Sequence, residues 1–388
     1  MNSNYVRKGA GRYLYSSEMK RDIGALGLWV SGTAVVALWL LHISYQVSAP
    51  AIPSLSEVLA RFARFDYVHF DDIARLGYLP EPGTASTAAP LYAFFPAMPM
   101  LLRLGGALGL STIVTGLSVS AIAGIFATIW IRRIADLYVP GLGLRAAAVF
   151  VLAPCAIFLY APYTESLFLA FGLGSWYFGK RGDWLPASVL CGLSCTVRIS
   201  GAFLLSALFV LWMTQNRSGT NRQSGRHRYS WLYLAIPASV LAGWMGYLAL
   251  ATGDLLAYST AQKYWGRHLE WPWVAFQTTI NSYPPTGGIG VMGLAEVIAL
   301  ISGVIVTIVL VWRRLYGEGV FVGLNIVLLG TSSYFYSVPR SALLWWPLWI
   351  GIAYLLRKSA VAFSLYLAGS AAVMLWWANL FLTGQWAG

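Results

Sequence analysis

Residues 288–312, GIGVMGLAEVIALISGVIVTIVLVW, followed at once by Arg313-Arg314, decide what kind of protein this is. The run carries one ionisable side chain, Glu296. As a helix rising about 1.5 Å per residue it is longer than the roughly 30 Å of hydrocarbon in a bilayer. Working outward, runs of the same kind recur at 24–45, 110–131, 146–161 and from the turn at 162–165 to Lys180-Arg181. More follow at 231–251, 319–336, up to Arg357-Lys358 and over 359–382. The stretch 185–213 is too long for one crossing and holds Arg198 near its middle, so it reads as two short helices that turn there. The pattern predicts an all-α polytopic membrane protein of about eleven transmembrane helices in a single domain, residues 24–388, preceded by a basic cytoplasmic tail at 1–23.

Composition agrees. The chain is 58% hydrophobic and only 10% charged, against about 25% charged in a soluble domain. A net charge of +12 could signal nucleic-acid binding, but the basic residues sit in short clusters between apolar runs. Under the eleven-span reading, eighteen of the 26 Lys and Arg fall on the cytoplasmic side, the bias expected of cytoplasmic loops. This places 46–109 and 252–286 outside as the large extracytoplasmic loops, and 214–230, with Arg217, Arg222, Arg226 and Arg228, inside. Cys155, Cys191 and Cys195 all lie in apolar runs and make neither a disulfide framework nor a metal site. Ala49-Pro50-Ala51 faintly resembles a cleavage site, but the long tail with Glu18 and Asp22 favours an uncleaved first span.

The chemistry gathers in the first outer loop. Ser54–Phe65 has Leu55, Val58, Leu59, Phe62 and Phe65 at helical spacing opposite Glu57, Arg61 and Arg64, an amphipathic helix for the membrane interface. A second short helix is expected over 69–76, before the Gly- and Pro-rich break at 77–90. Between and beyond them stand Asp66, His69, Asp71, Asp72 and Glu81. Topology puts Glu165, Arg198, Lys263, Arg267, His268 and Arg340 at the same membrane face. A carboxylate able to take a proton, opposed to cations able to hold a phosphate, is the equipment for group transfer from a phosphate-linked donor. Asp71 and Asp72 are adjacent on a helix and diverge, so they read as a solvated face rather than a metal-binding pair. No ligand cluster has convincing metal spacing and no cofactor is expected, with dependence on a divalent metal left open by the sequence.

The series Asp66, His69-Phe70, Ile73-Ala74, Gly77-Tyr78, Glu81 and Ala93-Phe94-Phe95-Pro96 resembles the first luminal loop of PIG-V-type mannosyltransferases. Pro154 with Phe158 and Tyr163-Thr164-Glu165-Ser166-Leu167, Arg198 with Ser200-Gly201, and Gln262 through Trp265 resemble later motifs of that family in the same order. The chain departs at Phe65, where the family usually has Trp, and at Arg198-Ile199-Ser200, where it has Arg-Ser-Asn.

The resemblance implies a GT-C glycosyltransferase fold, a polyprenyl-phosphate mannose donor, a lipid-linked acceptor and an inverting transfer on the extracytoplasmic side. Short loops and no eukaryotic retention signal point to a bacterial inner-membrane enzyme. Asp66 matches the family's loop aspartate and is the expected general base; the plainer alternative is a helix cap. His69 would share a helix face with it, orienting the acid or binding the donor phosphate. Glu81 and Glu165 are candidates for sugar hydroxyls or for structure. Arg198, in an apolar run, needs a phosphate or Glu165 as partner. Lys263, Arg267, His268 and Arg340 are further phosphate candidates. Tyr264, Trp265, Trp271 and Trp273 would stack on sugar or prenyl chain, or form an interfacial belt. Glu296 is expected to be a paired structural acid. Two rivals remain: another polyprenyl-linked sugar such as arabinose or glucose, and a transporter or lipid flippase. The second expects charges through the bilayer depth and internal repeats, and no repeat is evident.

Overall fold

A computed structural model describes residues 3–49, 51–217, 229–282 and 288–386. Among them there is no β-strand, only an isolated bridge between Leu269 and Ser332. The helices are α1 (Ser3–Ser48), α2 (Leu55–Ala60), α3 (Asp66–Leu76), α4 (Ala97–Ala107), α5 (Thr112–Tyr138) and α6 (Gly143–Val151). Then come α7 (Ile157–Tyr160), α8 (Thr164–Lys180), α9 (Trp184–Cys195), α10 (Ser200–Arg217), α11 (Ala235–Thr252) and α12 (Ala257–Lys263). The last six are α13 (Pro272–Ser282), α14 (Gly288–Trp312), α15 (Tyr316–Gly330), α16 (Val338–Ser341), α17 (Trp346–Leu355) and α18 (Ala360–Thr383).

Among the described residues, five helical stretches are long and apolar enough to cross a bilayer: Glu18–Ser48, Thr112–Tyr138, Ser230–Thr252, Gly290–Trp312 and Ala360–Thr383. With several shorter apolar helices between them, the chain is a multi-pass membrane protein. The 185–213 stretch folds as expected, with α9 and α10 meeting around Arg198. Elsewhere local chemistry redraws the boundaries. The span expected at 146–161 is interrupted between α6 and α7, where Pro154 lacks the amide that helix continuation needs. The helix expected over 54–65 stops at Ala60. Its start is a capping box, with the Ser54 amide bonded to Glu57 Oε2 at 2.7 Å. The connector expected on the cytoplasmic side, 214–230, lies largely outside the described residues, as do Arg222, Arg226 and Arg228.

Packing around α5 fixes the scaffold. Trp29 of α1 stacks on Tyr160 with centroids 4.6 Å apart. A Cβ on Gly124 would come within 2.1 Å of that indole, so only glycine lets α1 approach α5 this closely. Near the far end of α5, the fully buried Arg132 is neutralised by Glu18 at 2.9 Å, Asp22 at 2.6 Å and Asp136 at 3.1 Å. A buried guanidinium is tolerable only with such partners. The opposite end of the bundle carries α3, the start of α8, the α9–α10 turn and α16, and these build the site.

Candidate active site

Asp66 is the first residue of α3, and the backbone must bend sharply to put it there. Phe65 sits at φ 49°, ψ −121°, a conformation rare for a bulky side chain. Its ring is pinned by Phe381 at 6.0 Å and Trp386 at 5.5 Å. Arg340 Nη1 donates to Asp66 Oδ2 at 2.7 Å, and Arg340 Nε donates to Glu165 Oε1 at 2.6 Å. Arg198 Nη1 donates to the same Glu165 oxygen and to Thr164 Oγ1 at 2.9 Å. Two carboxylates and two guanidiniums thus close into one chain, Asp66–Arg340–Glu165–Arg198. The Arg340 guanidinium also lies over the rings of Tyr163 at 4.6 Å and Phe158 at 4.9 Å. Its Arg side chain is 6% exposed and that of Glu165 is 0% exposed, whereas Asp66 keeps 33% open.

Arg340 is held by a backbone anchor. Glu296 of α14 accepts from the amides of Ser337 at 2.9 Å and Val338 at 2.8 Å, capping the short helix α16. Its partners are therefore amides, where the sequence reading looked for a paired acid.

Asp66, Arg198 and Arg340 line a cavity of about 500 Å³, together with Trp265, Arg267, His268, Tyr336 and Trp386. Burial works to raise the Asp66 carboxyl, but the charge and hydrogen bond of Arg340, helped by His69 and Arg198, outweigh it and hold Asp66 below the usual carboxylate value. Burial pushes the His69 imidazole below its ordinary value, against the pull of Asp66 and Asp72. A neutral imidazole is the consequence at neutral pH.

The other residues singled out in the sequence separate clearly. Arg267 lines the cavity with its guanidinium 5.0 Å from the Tyr336 ring centroid, and no carboxylate among the described residues pairs with it. His268 lines the cavity and reaches Glu270 at 3.8 Å. His69 stands behind the wall: it stacks on Phe94 at 4.8 Å, meets Trp265 edge-on at 6.0 Å and contacts Thr87 Oγ1 through Nδ1 at 3.2 Å. Lys263 and Tyr264 are exposed and do not line the cavity, and Glu81 lies in an exposed turn away from it. Trp271 and Trp273 stack on each other at 4.9 Å, each 64% exposed.

Asp72 corrects the expectation of a solvated face. Its side chain is 1% exposed and accepts from the Ser86 amide at 2.8 Å and Ser86 Oγ at 2.7 Å, with Arg75 at 3.2 Å. Asp71 accepts from Thr112 Oγ1 at 2.6 Å and pairs with Arg75 at 2.8 Å. The two carboxylates diverge, but both are structural clamps. Among the described residues no group of three or more His, Cys, Asp or Glu is placed to hold a metal. Sequence reasoning missed Tyr336 and Trp386; one lies in a loop and the other beyond α18, and neither falls in a motif or a charged cluster.

A multi-pass all-helical protein with a carboxylate and cations facing one cavity is the class that this architecture defines. The family model for PIG-V mannosyltransferases matches residues 41–283, well over half of the sequence, and the chain belongs to that family. Similar curated proteins are GPI mannosyltransferase 2 of Yarrowia lipolytica, 26% identical over 159 residues (40% of this chain, 42% of that one), and GPI alpha-1,6-mannosyltransferase 2 of Rattus norvegicus, 31% identical over 166 residues (40% and 32%). The chain thus aligns with less than half the length of either relative. Among solved structures, that of ArnT from Cupriavidus metallidurans bound to undecaprenyl phosphate is similar at TM-score 0.48 and 14% identity, covering 92% of this chain and 76% of that one.

Proposed function

We propose that the chain is an inverting GT-C glycosyltransferase that moves mannose from a polyprenyl-phosphate donor to a hydroxyl of a lipid-linked acceptor. The reaction takes place on the extracytoplasmic face of a bacterial inner membrane, with the N-terminus in the cytoplasm. Family membership supports the sugar and the class of reaction. The observation that carries the reading is Asp66, the one carboxylate among the described residues that line the cavity, part-exposed and held ionised there by Arg340.

In this reading the acceptor oxygen attacks the anomeric carbon while Asp66 takes its proton. The bond to the phosphate oxygen breaks, and polyprenyl phosphate leaves with the electron pair. A carboxylate held low is a weak base, but the acceptor hydroxyl grows more acidic as its bond to carbon forms, so proton transfer late in the step is sufficient. Among the cations, Arg340 and Arg198 already serve Asp66 and Glu165. Arg267 faces the cavity with no carboxylate partner among the described residues, which supports it as the donor-phosphate contact, with His268 beside it. Glu165 then organises the arginines and does not touch sugar.

The test is purified protein incubated with radiolabelled polyprenyl-phosphate mannose and a membrane lipid extract. Labelled product is expected from the wild type. Asp66→Asn should lower the rate by roughly 10²–10⁴-fold, the usual worth of a general base, with unchanged expression and a smaller drop in melting temperature than removal of the Arg340 charge causes. Substantial turnover by that variant sinks the base assignment, and no labelled product from any extract favours a transporter.

A further inference from the structure

Tyr163 closes the turn from α7 into α8, and its backbone holds it in place. Its amide donates to Ala161 O at 2.7 Å, and it stands extended at φ −122°, ψ 175°. A Cβ on Gly116 of α5 would come within 2.6 Å of Pro162 Cβ, so a glycine there lets the turn press into α5. The Tyr163 ring is fully buried among Phe70 of α3, Phe158 of α7 and Phe381 of α18, at centroid distances of 6.3, 5.4 and 5.6 Å. Packing from three helices leaves the side chain one orientation.

In that orientation its edge and its face meet different groups. The hydroxyl donates to Arg64 O at 2.8 Å. The same carbonyl accepts from the Tyr67 amide at 3.1 Å, which closes the first turn of α3. Arg64 is the residue before the strained bend at Phe65, and Asp66 follows that bend. A backbone in such a conformation persists only where its surroundings hold it. Phe381 and Trp386 hold the Phe65 ring, and Tyr163 holds the carbonyl on the near side. The face of the Tyr163 ring carries the Arg340 guanidinium at 4.6 Å, an attraction that strengthens where water is excluded. Tyr163 is not part of the cavity wall, so it acts through these two groups and not on a substrate. Packing alone would ask for no more than a phenylalanine here.

We infer that Tyr163 is a positioning residue for the transfer step: one side chain sets both the bend that places Asp66 at the cavity and the guanidinium that pairs with it, so the base and its cation keep a common register. This rests on the reading of Asp66 as general base.

The experiment uses the full chain in lipid nanodiscs and the transfer assay, with three substitutions at this position. Tyr163→Phe keeps the ring and removes the donor. Its kcat should fall about tenfold, because a small misplacement of a reacting group lowers rate, with donor KM and the half-saturating amount of lipid extract each unchanged within about twofold. Tyr163→p-aminophenylalanine, introduced by amber suppression, returns an N–H donor to the same place and should recover most of that loss. Tyr163→Leu removes the ring as well. The charged and titratable groups facing Asp66 are Arg340, His69, Arg198 and Tyr163 itself. Loosening Arg340 lets burial count for more, so the acid limb of kcat/KM should move up in Tyr163→Leu and stay in place in Tyr163→Phe. Wild-type kcat in Tyr163→Phe, no recovery with the amine, a raised KM at constant kcat, or an unmoved limb in Tyr163→Leu overturns the role.

The contact with Arg340 is also read without turnover. The losses of melting temperature in Tyr163→Leu and Arg340→Gln should combine less than additively in the double variant, and additive losses overturn it. The phenylalanine and amine variants keep the ring and its packing, so the comparison between them stands whether or not Tyr163→Leu folds. A wild type that turns over while Tyr163→Phe matches it sinks the positioning role and leaves mannosyl transfer standing. A wild type that transfers nothing sinks the transfer reading itself.

Discussion

Arg340 shows how one side chain can set both the integrity and the acidity of a site. It is nearly buried and serves two carboxylates at once, so Arg340→Gln leaves Glu165 with one cation and Asp66 with none. Breaking a buried ion pair from one side costs about 3–5 kcal/mol, and thermal unfolding of the detergent-solubilised variant should show a clear drop in Tm. The pH profile separates this from a general loss of stability. Because the Asp66 carboxyl is held below its ordinary value, its ionised form persists on acidification and is lost only as pH falls through that lowered value. The acid limb of kcat/KM in the wild type should therefore lie below the ordinary aspartate value of about 3.9. In Arg340→Gln, burial is opposed by less charge and the limb should move up. A wild-type limb near pH 6 rules out this account of Asp66. Of these residues, Asp66 was legible in the sequence because an acid beside apolar runs is costly unless used. The clamp at Asp72 was not, since it depends on Ser86, fourteen positions on, folding back over α3.

At the scale of elements, the function of α14 reaches beyond crossing the membrane. Glu296 holds the first amides of α16, and α16 carries Arg340. Glu296→Ala should leave two buried amides unsatisfied, at about 1–3 kcal/mol each. Transfer should fall more steeply than Tm alone would suggest, because Arg340 loses its register against Asp66. Activity at the wild-type level in a folded Glu296→Ala protein contradicts that coupling. The bounds of α14 were legible because an unbroken apolar run between breakers admits one reading. Those of α2 were not: helical periodicity continues to Phe65, while the chain leaves the helix after Ala60 to reach the strained bend at Phe65. The break between α6 and α7 follows from Pro154, a signal that length alone concealed.

Across the whole molecule, two charged clusters lie at opposite ends of α5. Arg132 with Glu18, Asp22 and Asp136 occupies one end, and the Asp66–Arg340–Glu165–Arg198 chain occupies the other. The bias of basic residues supports the first as cytoplasmic and the second as extracytoplasmic. Single cysteines introduced at Thr84 and at Lys358, in a background whose three native cysteines are buried, test this in oriented vesicles. A membrane-impermeant maleimide added from the extracytoplasmic side should label position 84 and spare 358; the reverse pattern overturns the orientation.

On the proposed reading, the closed chain of two acids and two arginines also helps to sort the two substrates. Its charges cancel internally, so the floor around Asp66 offers no net attraction to an anion and exacts little electrostatic penalty from a neutral hydroxyl that arrives there. Arg267, with which no carboxylate among the described residues forms an ion pair, lines the same cavity. On the proposed reading, a donor that brings a phosphate is drawn to Arg267, while an acceptor that brings an alcohol meets no net charge at Asp66. Added salt should then weaken donor capture while leaving acceptor capture almost untouched.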